Sequence, residues 1–198
     1  MQSPPARVRI VDAAHELMLT IGLARATTKE IAKAAGCSEA ALYKHFASKE
    51  DLFVTVLKER LPQLGPLVAR LTEEPGERSV EANLTEIARQ AALFYAESFP
   101  IAASLYADPQ LKRRHDEALR ELGTGPHVPI DGVDAYLRAE RRAGRIGADT
   151  DTYAAASLLL GACAQRAFAY DMTPGGRGPR SLEEFARGVA GVLLRGLA

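Results

Sequence analysis

Apolar residues recur along this chain at intervals of three and four, the period of a helix that buries one face. Ile10, Ala14, Leu17, Met18 and Ile21 form one such stripe, closed by Gly22. Val80, Leu84, Ile87, Ala88, Ala91, Phe94 and Tyr95 form a second, and Leu182, Phe185, Ala186, Val189 and Leu193 a third. No run of alternating Val, Ile and Thr bounded by turn pairs occurs, so a strand signal is missing. Residues 152–165 differ from the stripes, being apolar or small on every side, the mark of a helix buried all round. Those 14 residues carry no charge but are too few to span a bilayer.

Helix starts are marked by capping residues. Thr27 with Glu30 and Ser181 with Glu184 are capping boxes, and Ser48 with Asp51 is a carboxylate version. Asp108 precedes Pro109 as an N-cap before a first-turn proline, and Asp131 is the expected cap of the segment carrying Val133, Tyr136 and Leu137. Gly and Pro clusters at residues 73–77, 122–129 and 171–179 read as loops. The pattern predicts an all-α fold of about nine helices, four short ones within the first 60 residues and five mostly longer ones. A boundary is expected at 47/48, with residues 1–47 and 48–198 as two modules.

Composition narrows the class. The 198 residues carry 25 Lys and Arg against 25 Asp and Glu, for a net charge of zero, and 47% are hydrophobic. Such a chain has apolar content enough for a core and is not disordered as a whole. The two cysteines, Cys37 and Cys163, form neither a disulfide framework nor a metal-ligand spacing. With no secretory signal pattern and no membrane span, a cytoplasmic protein is expected.

The balanced total hides a local surplus. Between residues 25 and 49, five cations (Arg25, Lys29, Lys33, Lys44, Lys49) oppose two carboxylates (Glu30, Glu39). The same stretch reads as two short helices, from Thr27 to Ala35 and from Ser38 to Lys44, joined by a tight turn at Gly36. That is the helix-turn-helix arrangement. Thr27, Thr28 and Ser38 stand at helix starts, where unpaired N–H groups suit a phosphate oxygen. Lys29, Tyr43, Lys44, His45 and Lys49 add phosphate partners, the salt-dependent part of DNA affinity. Glu39, Ala40 and Ala41 lead the second helix and are the candidates for base readout. A carboxylate accepts from a cytosine amino group, and a methyl meets a thymine methyl. Short capped helices also occur as plain packing units, so spacing alone leaves both readings open.

The residues themselves carry a resemblance. Thr28, Ile31, Ala32, Ala35, Gly36, Cys37, Ser38, Leu42, Tyr43, His45, Phe46, Ser48, Lys49, Glu50 and Leu52, at these spacings, resemble the tetracycline-repressor (TetR) family of transcriptional regulators. The likeness covers roughly the first 60 residues; beyond them it extends only to helix count and loop placement. It implies a three-helix DNA-binding unit with its recognition helix at residues 38–44. On the matching positions, Thr28, Ser38, Tyr43, His45 and Lys49 look like DNA-backbone contacts and Glu39, Ala40 and Ala41 like base-facing positions. Cys37 stands where the family usually has Val, and Ala40 where Gly is frequent. The alanine leaves the readout poor in hydrogen-bonding groups, which shifts weight to DNA shape or to the flanking Arg7 and Arg25.

The rest of the chain is expected to bind an effector and a second copy. One face of the all-apolar helix can pack on its own module. The other, with Ala155, Leu158, Gly161, Ala162 and Gln165, is expected to form a homodimer with Phe185, Val189 and Leu193 of the final helix; a buried central helix in a monomer is the alternative. Two helix-turn-helix units reading DNA on a two-fold need a separation of about 34–36 Å, which favours the dimer. The resemblance implies a small-molecule pocket in this region. Phe94, Phe99, Tyr106, His115, Tyr136 and Phe168 are its candidates, with plain core as the competing role, and Glu97 and Gln165 as further polar groups. Few polar groups among apolar walls suit a hydrophobic or aromatic effector.

No cofactor or metal is expected, and no catalytic residues. The function expected is a sequence-specific DNA-binding transcriptional regulator, a repressor released by a ligand from a palindromic operator. The rivals are a helical-bundle enzyme and a protein-interaction module without DNA binding. For the first, none of the four histidines follows a Glu by three residues, and Gly175, Gly176 and Gly178 have no preceding strand to form a phosphate loop. For the second, Arg138, Arg141, Arg142 and Arg145 form a basic cluster, which is also what the C-terminal dipole of a solvated helix attracts.

Overall fold

The computed structural model describes residues 4–61, 64–74, 77–121, 123–170 and 180–196 (backbone alone at 104 and 107). Among them are ten α-helices and no strand. The chain divides into two compact units, residues 1–61 with 97–125, and residues 62–96 with 126–198.

The first unit contains α1 (Ala6–Ile21), α2 (Thr28–Ala34), α3 (Glu39–Leu42), α4 (Lys49–Glu59), the end of α6 (Val80–Ala107) and α7 (Pro109–Glu121). Helix α1 packs on α2 and α4, α2 on α3, and α4 on α7. Its apolar stripe is buried at Ile10, Val11, Ala14 and Met18, and Ile31, Leu42, Phe46, Leu52, Phe53 and Val56 are buried with it. Side chains of this kind each contribute roughly 1.5–3 kcal/mol by leaving water. Ion pairs fasten the surface, with Arg7 on Glu59 at 2.5 Å and Arg60 on Asp12 at 2.7 Å. At the start of α7, Asp108 Oδ1 accepts from the backbone N–H groups of Gln110 and Leu111, as its place before Pro109 predicts.

The second unit contains α5 (Leu64–Glu73), the first part of α6, α8 (Val128–Arg142), α9 (Thr152–Tyr170) and α10 (Leu182–Arg195). Helix α8 packs on α5 and α9, and α9 on α10. Leu84, Ile87, Ala88, Val133, Tyr136, Leu137, Ala156, Leu159 and Ala186 form its buried centre. A polar clasp ties α8 to α9: the Thr152 hydroxyl donates to buried Asp134 at 2.6 Å, and Arg138 holds the other carboxylate oxygen at 2.6 Å.

The structure has ten helices where about nine are expected, because α5 begins Leu64-Gly65-Pro66 and looks like a break. A proline in the first turn costs little, since its missing N–H has no intrahelical partner there. The start of α8 lies at Val128, with Pro129 in its first turn and no side-chain cap, so Asp131 is a first-turn acid and not the cap. The first compact unit runs on through α4, which packs on α1 and α7. The loop expected over residues 171–179 lies outside the described residues.

Candidate nucleic-acid interface

The helix-turn-helix of the first unit is built from local bonds. Thr27 Oγ1 accepts from Glu30 N at 3.2 Å, and Glu30 returns a bond to Thr27 N at 3.1 Å, completing the capping box of α2. The Glu30 carboxylate accepts from both the Thr27 backbone N–H and the Thr27 hydroxyl, the latter at 2.9 Å, and these two bonds hold it below the usual carboxylate range. Helix α2 ends at Ala35, and Gly36 follows at φ +67°. Gly36 N donates to Lys33 O and Cys37 N to Ala32 O, the paired bonds of a Schellman turn. Ser38 Oγ then accepts from Ala41 N at 3.1 Å and starts α3. Arg9 completes the frame by donating from α1 to Ala35 O at 3.1 Å. A lone arginine on a helix flank gives no sequence signal for that contact.

The recognition helix is shorter than expected. Residues Glu39–Leu42 are helical, while Tyr43 to His45 continue as a turn. Leu42 is fully buried beneath it, and Ser38, Glu39, Ala40, Tyr43, Lys44 and His45 are exposed, Tyr43 by 50%. Ala41 is half-buried. Exposed Arg25, Lys29, Lys33 and Lys44 supply the local positive charge.

Three of the expected DNA-contact residues are brought together. The Thr28 hydroxyl donates to Glu39 Oε1, and the Tyr43 hydroxyl donates to Thr28 Oγ1 at 3.5 Å. Lys49 is placed differently from the free cation its spacing suggests. Its Nζ donates to Leu23 O at 3.1 Å and lies 5.0 Å from the centre of the Phe53 ring, and burial lowers its pKa. Arg7 is likewise engaged, pairing with Glu59 and lying 5.6 Å from the centre of the Phe46 ring.

The remaining expected residues fall into each unit separately. In the first, His115 is buried with Nδ1 lacking a hydrogen-bond partner among the described residues, and burial lowers its pKa. Phe99 is half-buried and Tyr106 is 76% exposed with Lys112 Nζ over its ring at 5.7 Å. In the second, Tyr136 is fully buried and its pKa is raised by that burial, Phe94 stacks edge-on against Tyr95 at 5.3 Å, and Phe168 is 73% exposed. Two open grooves flank Arg166 in this unit, of about 340 Å³ between α6, α9 and α10 and about 420 Å³ between α9 and α10. None of the six expected pocket residues lines either groove.

Helix α9 separates the expected interface residues by face. Ala155 lies in the unit's own core, as does Leu193 of α10. Leu158, Gly161 and Gln165 point outward, Leu158 at 67% exposure, in line with Phe168; Ala162 is half-buried beside them. On α10, Phe185 and Val189 are half-buried and Val192 is 64% exposed. The basic cluster at the end of α8 is mostly engaged within its unit: Arg138 with Asp134, Arg145 with Glu140 at 2.5 Å, and Arg141 with Thr150 O at 2.8 Å.

Comparison with known proteins agrees with the interface. Residues 10–56 match the family model described as bacterial regulatory proteins, tetR family. The fatty acid metabolism regulator protein of Bacillus subtilis is 22% identical over 165 residues, 81% of this chain and 80% of that one. Among solved structures, the fatty acid degradation regulator FadR from Bacillus halodurans superposes with a TM-score of 0.70 at 20% identity, covering 98% of this chain and 97% of its own. FadR from Bacillus subtilis in complex with stearoyl-CoA gives 0.69 at 19% identity, covering 96% and 99%. No helix among the described residues is long and apolar enough to cross a membrane. The helix-turn-helix and its cationic rim lie in the stretch that matches this family model, so residues 10–56 carry a helix-turn-helix of the TetR type, the unit by which DNA-binding transcriptional regulators of that family are recognised.

Proposed function

We propose that the protein is a homodimeric repressor that binds a palindromic operator and is released by a small hydrophobic effector. Residues 1–47 hold the DNA, and residues 48–198 bind the effector and the second copy. It acts in the cytoplasm and catalyses no reaction.

The observation that carries this reading is the second apolar face of α9. Leu158 and Phe168 stand exposed on it with small Gly161 between them, and Val192 is exposed on the neighbouring α10. Large apolar side chains exposed along one helix face mark an interaction surface. Covered by the same patch of another copy, it forms a two-fold interface and pairs two helix-turn-helix units for the two halves of a palindrome. Thr27, Thr28, Lys29, Ser38, Tyr43, Lys44 and His45 then contact phosphates, Glu39, Ala40 and Ala41 face the bases, and Lys49 steadies the start of α4. The effector class rests on the apolar second unit and on the relatives, one of which is solved with stearoyl-CoA. Long-chain acyl-CoA thioesters are therefore the first compounds to try. Release requires only that the effector bind the DNA-free conformation more tightly than the DNA-bound one.

Light scattering on a size-exclusion column and selection from a random duplex library test the reading together. The expected results are twice the chain mass and an enriched inverted repeat, from which an effective effector displaces the protein. A monomer enriching no sequence overturns the proposal.

A further inference from the structure

We propose that Glu39 selects cytosine at one position of each operator half-site, and that Thr28 is the positioning residue that holds its carboxylate for that purpose. The inference rests on the DNA-binding role of residues 27–49.

Glu39 is the only carboxylate in residues 38–45, and it is exposed. On a surface that meets phosphates, a negative charge is unfavourable unless a specific contact offsets it. Its neighbours offer little competing readout. Ala40 and Ala41 present methyl groups, and Ser38 Oγ already accepts from Ala41 N.

A glutamate on an exposed helix normally samples many rotamers, and ordering it on binding weakens any contact it makes. Here the order exists beforehand. A threonine hydroxyl has one hydrogen and two lone pairs. The hydrogen of Thr28 goes to Glu39 Oε1, and one lone pair accepts from the Tyr43 hydroxyl. The direction of this three-residue relay is therefore set from Tyr43 through Thr28 to Glu39. Oε1 is engaged, while Oε2 takes none of the described hydrogen bonds and stays an acceptor on the exposed side.

Chemistry then decides the base. In the major groove guanine presents two acceptors, and thymine an acceptor and a methyl; a carboxylate repels both sets of lone pairs. Adenine places its N7 acceptor beside the N6 donor. Cytosine alone offers an amino donor without an adjacent acceptor on the same base. The order expected is cytosine, then adenine, with guanine and thymine rejected.

The test uses the full chain and duplexes with a randomised core of about two helical turns. Wild type, Glu39→Gln, Thr28→Val and Thr28→Ser are each put through selection. Anisotropy is then read on labelled duplexes carrying each base at each selected position, beside a thermal melt of every variant. Wild type should prefer cytosine over guanine and thymine at one position per half-site by about 5- to 150-fold. Glu39→Gln should move that preference to adenine, whose N6 and N7 pair with an amide, on top of a general gain in affinity from the lost charge. Thr28→Ser should keep the wild-type preference. Thr28→Val should flatten it at that position alone and leave the salt dependence unchanged. If Glu39→Gln and Thr28→Val change affinity equally at every base and position, the pair is only a clip between α2 and α3, and the inference fails. If Thr28→Val does not fold, the base swap in Glu39→Gln decides the selecting role and Thr28→Ser the positioning one. A wild type that enriches no sequence defeats the DNA-binding role itself; one that enriches a site insensitive to Glu39→Gln defeats this inference alone.

Discussion

Replacing Gly36 by alanine separates two things the turn does: ending α2 and aiming α3. Gly36 sits at φ +67°, and a Cβ built there meets no heavy atom within 4 Å. No clash contributes, so the penalty is that of the left-handed backbone alone, about 1–2 kcal/mol for an L-residue. The alanine also narrows the unfolded ensemble, which offsets part of this. A net loss of about 1 kcal/mol lowers Tm by roughly 2–4 °C in a chain of this size. Gly144, which ends α8 at φ +70° with equally open space, is a matched control far from the turn in sequence. Thermal melts by far-UV circular dichroism should show similar losses for Gly36→Ala and Gly144→Ala. Gly36→Asn should lose less, because asparagine tolerates this conformation. Anisotropy on a selected duplex, well below Tm, should show weaker binding for Gly36→Ala and wild-type binding for Gly144→Ala. The paired bonds from Gly36 N and Cys37 N set the angle at which α3 leaves α2. A wild-type melt for Gly36→Ala, or an asparagine as costly as the alanine, refutes the strain argument. Equal DNA binding by the two alanine variants refutes the aiming role.

Four further outcomes are expected of the same chain. Thr27→Ala removes the acceptor for Glu30 N and should cost about 1 kcal/mol in denaturant unfolding, whereas Thr27→Ser should cost far less. Cys163 is fully buried and its thiol is pushed up to about 12, while Cys37 is half-exposed, so Ellman's reagent should titrate one thiol in the native protein and two in denaturant. Burial depresses the His115 pKa below its ordinary 6.5, so the unfolded chain binds the extra proton first. Stability should therefore hold above pH 6.5 and fall as pH drops through the folded value; between pH 7.5 and 5.5, His115→Gln should lose less Tm than wild type. Leu158→Glu with Phe168→Ser should give a folded monomer in light scattering, since both side chains are mostly exposed within the single chain.

What was legible in the sequence was what is local. Both capping boxes join residues three positions apart and both form, Thr27 with Glu30 and Ser181 with Glu184. Gly36 marked the end of α2 because a left-handed turn leaves few alternatives to glycine. Ile10, Ala14 and Met18 of the α1 stripe fall on its buried face because the period alone sets that face, while Leu17 is half-buried and Ile21, at the helix end, is exposed. Helix α9, apolar all round, reads as buried all round, yet one of its faces is exposed in the single chain, because a uniform sequence carries no phase. Nothing in it could separate core-facing Ala155 from outward-facing Leu158. The same limit applies to Tyr106 and Phe168, whose aromatic character suggested an interior that the fold does not give them.

Partners chosen across a turn or between helices were illegible for a different reason. Lys49 reads as an exposed cation at the head of α4, yet its ammonium reaches back 26 residues to Leu23 O and lies over Phe53. Arg9 reads as a surface arginine and instead donates to Ala35 O at the end of α2. Thr28 and Glu39, eleven residues apart, each had a sequence reading of its own, one as a phosphate contact and the other as a base contact. The fold joins them, and the joint arrangement constrains both. A hydroxyl that donates to a carboxylate has no hydrogen left for a phosphate, so Thr28 can meet a phosphate through its backbone N–H, but any DNA contact by its hydroxyl must displace Glu39 or pass through it. The two residues therefore act on DNA as one group, and substitutions at them should be non-additive in a double-mutant cycle. Additive losses for Thr28→Val and Glu39→Gln would mean that each meets the duplex on its own.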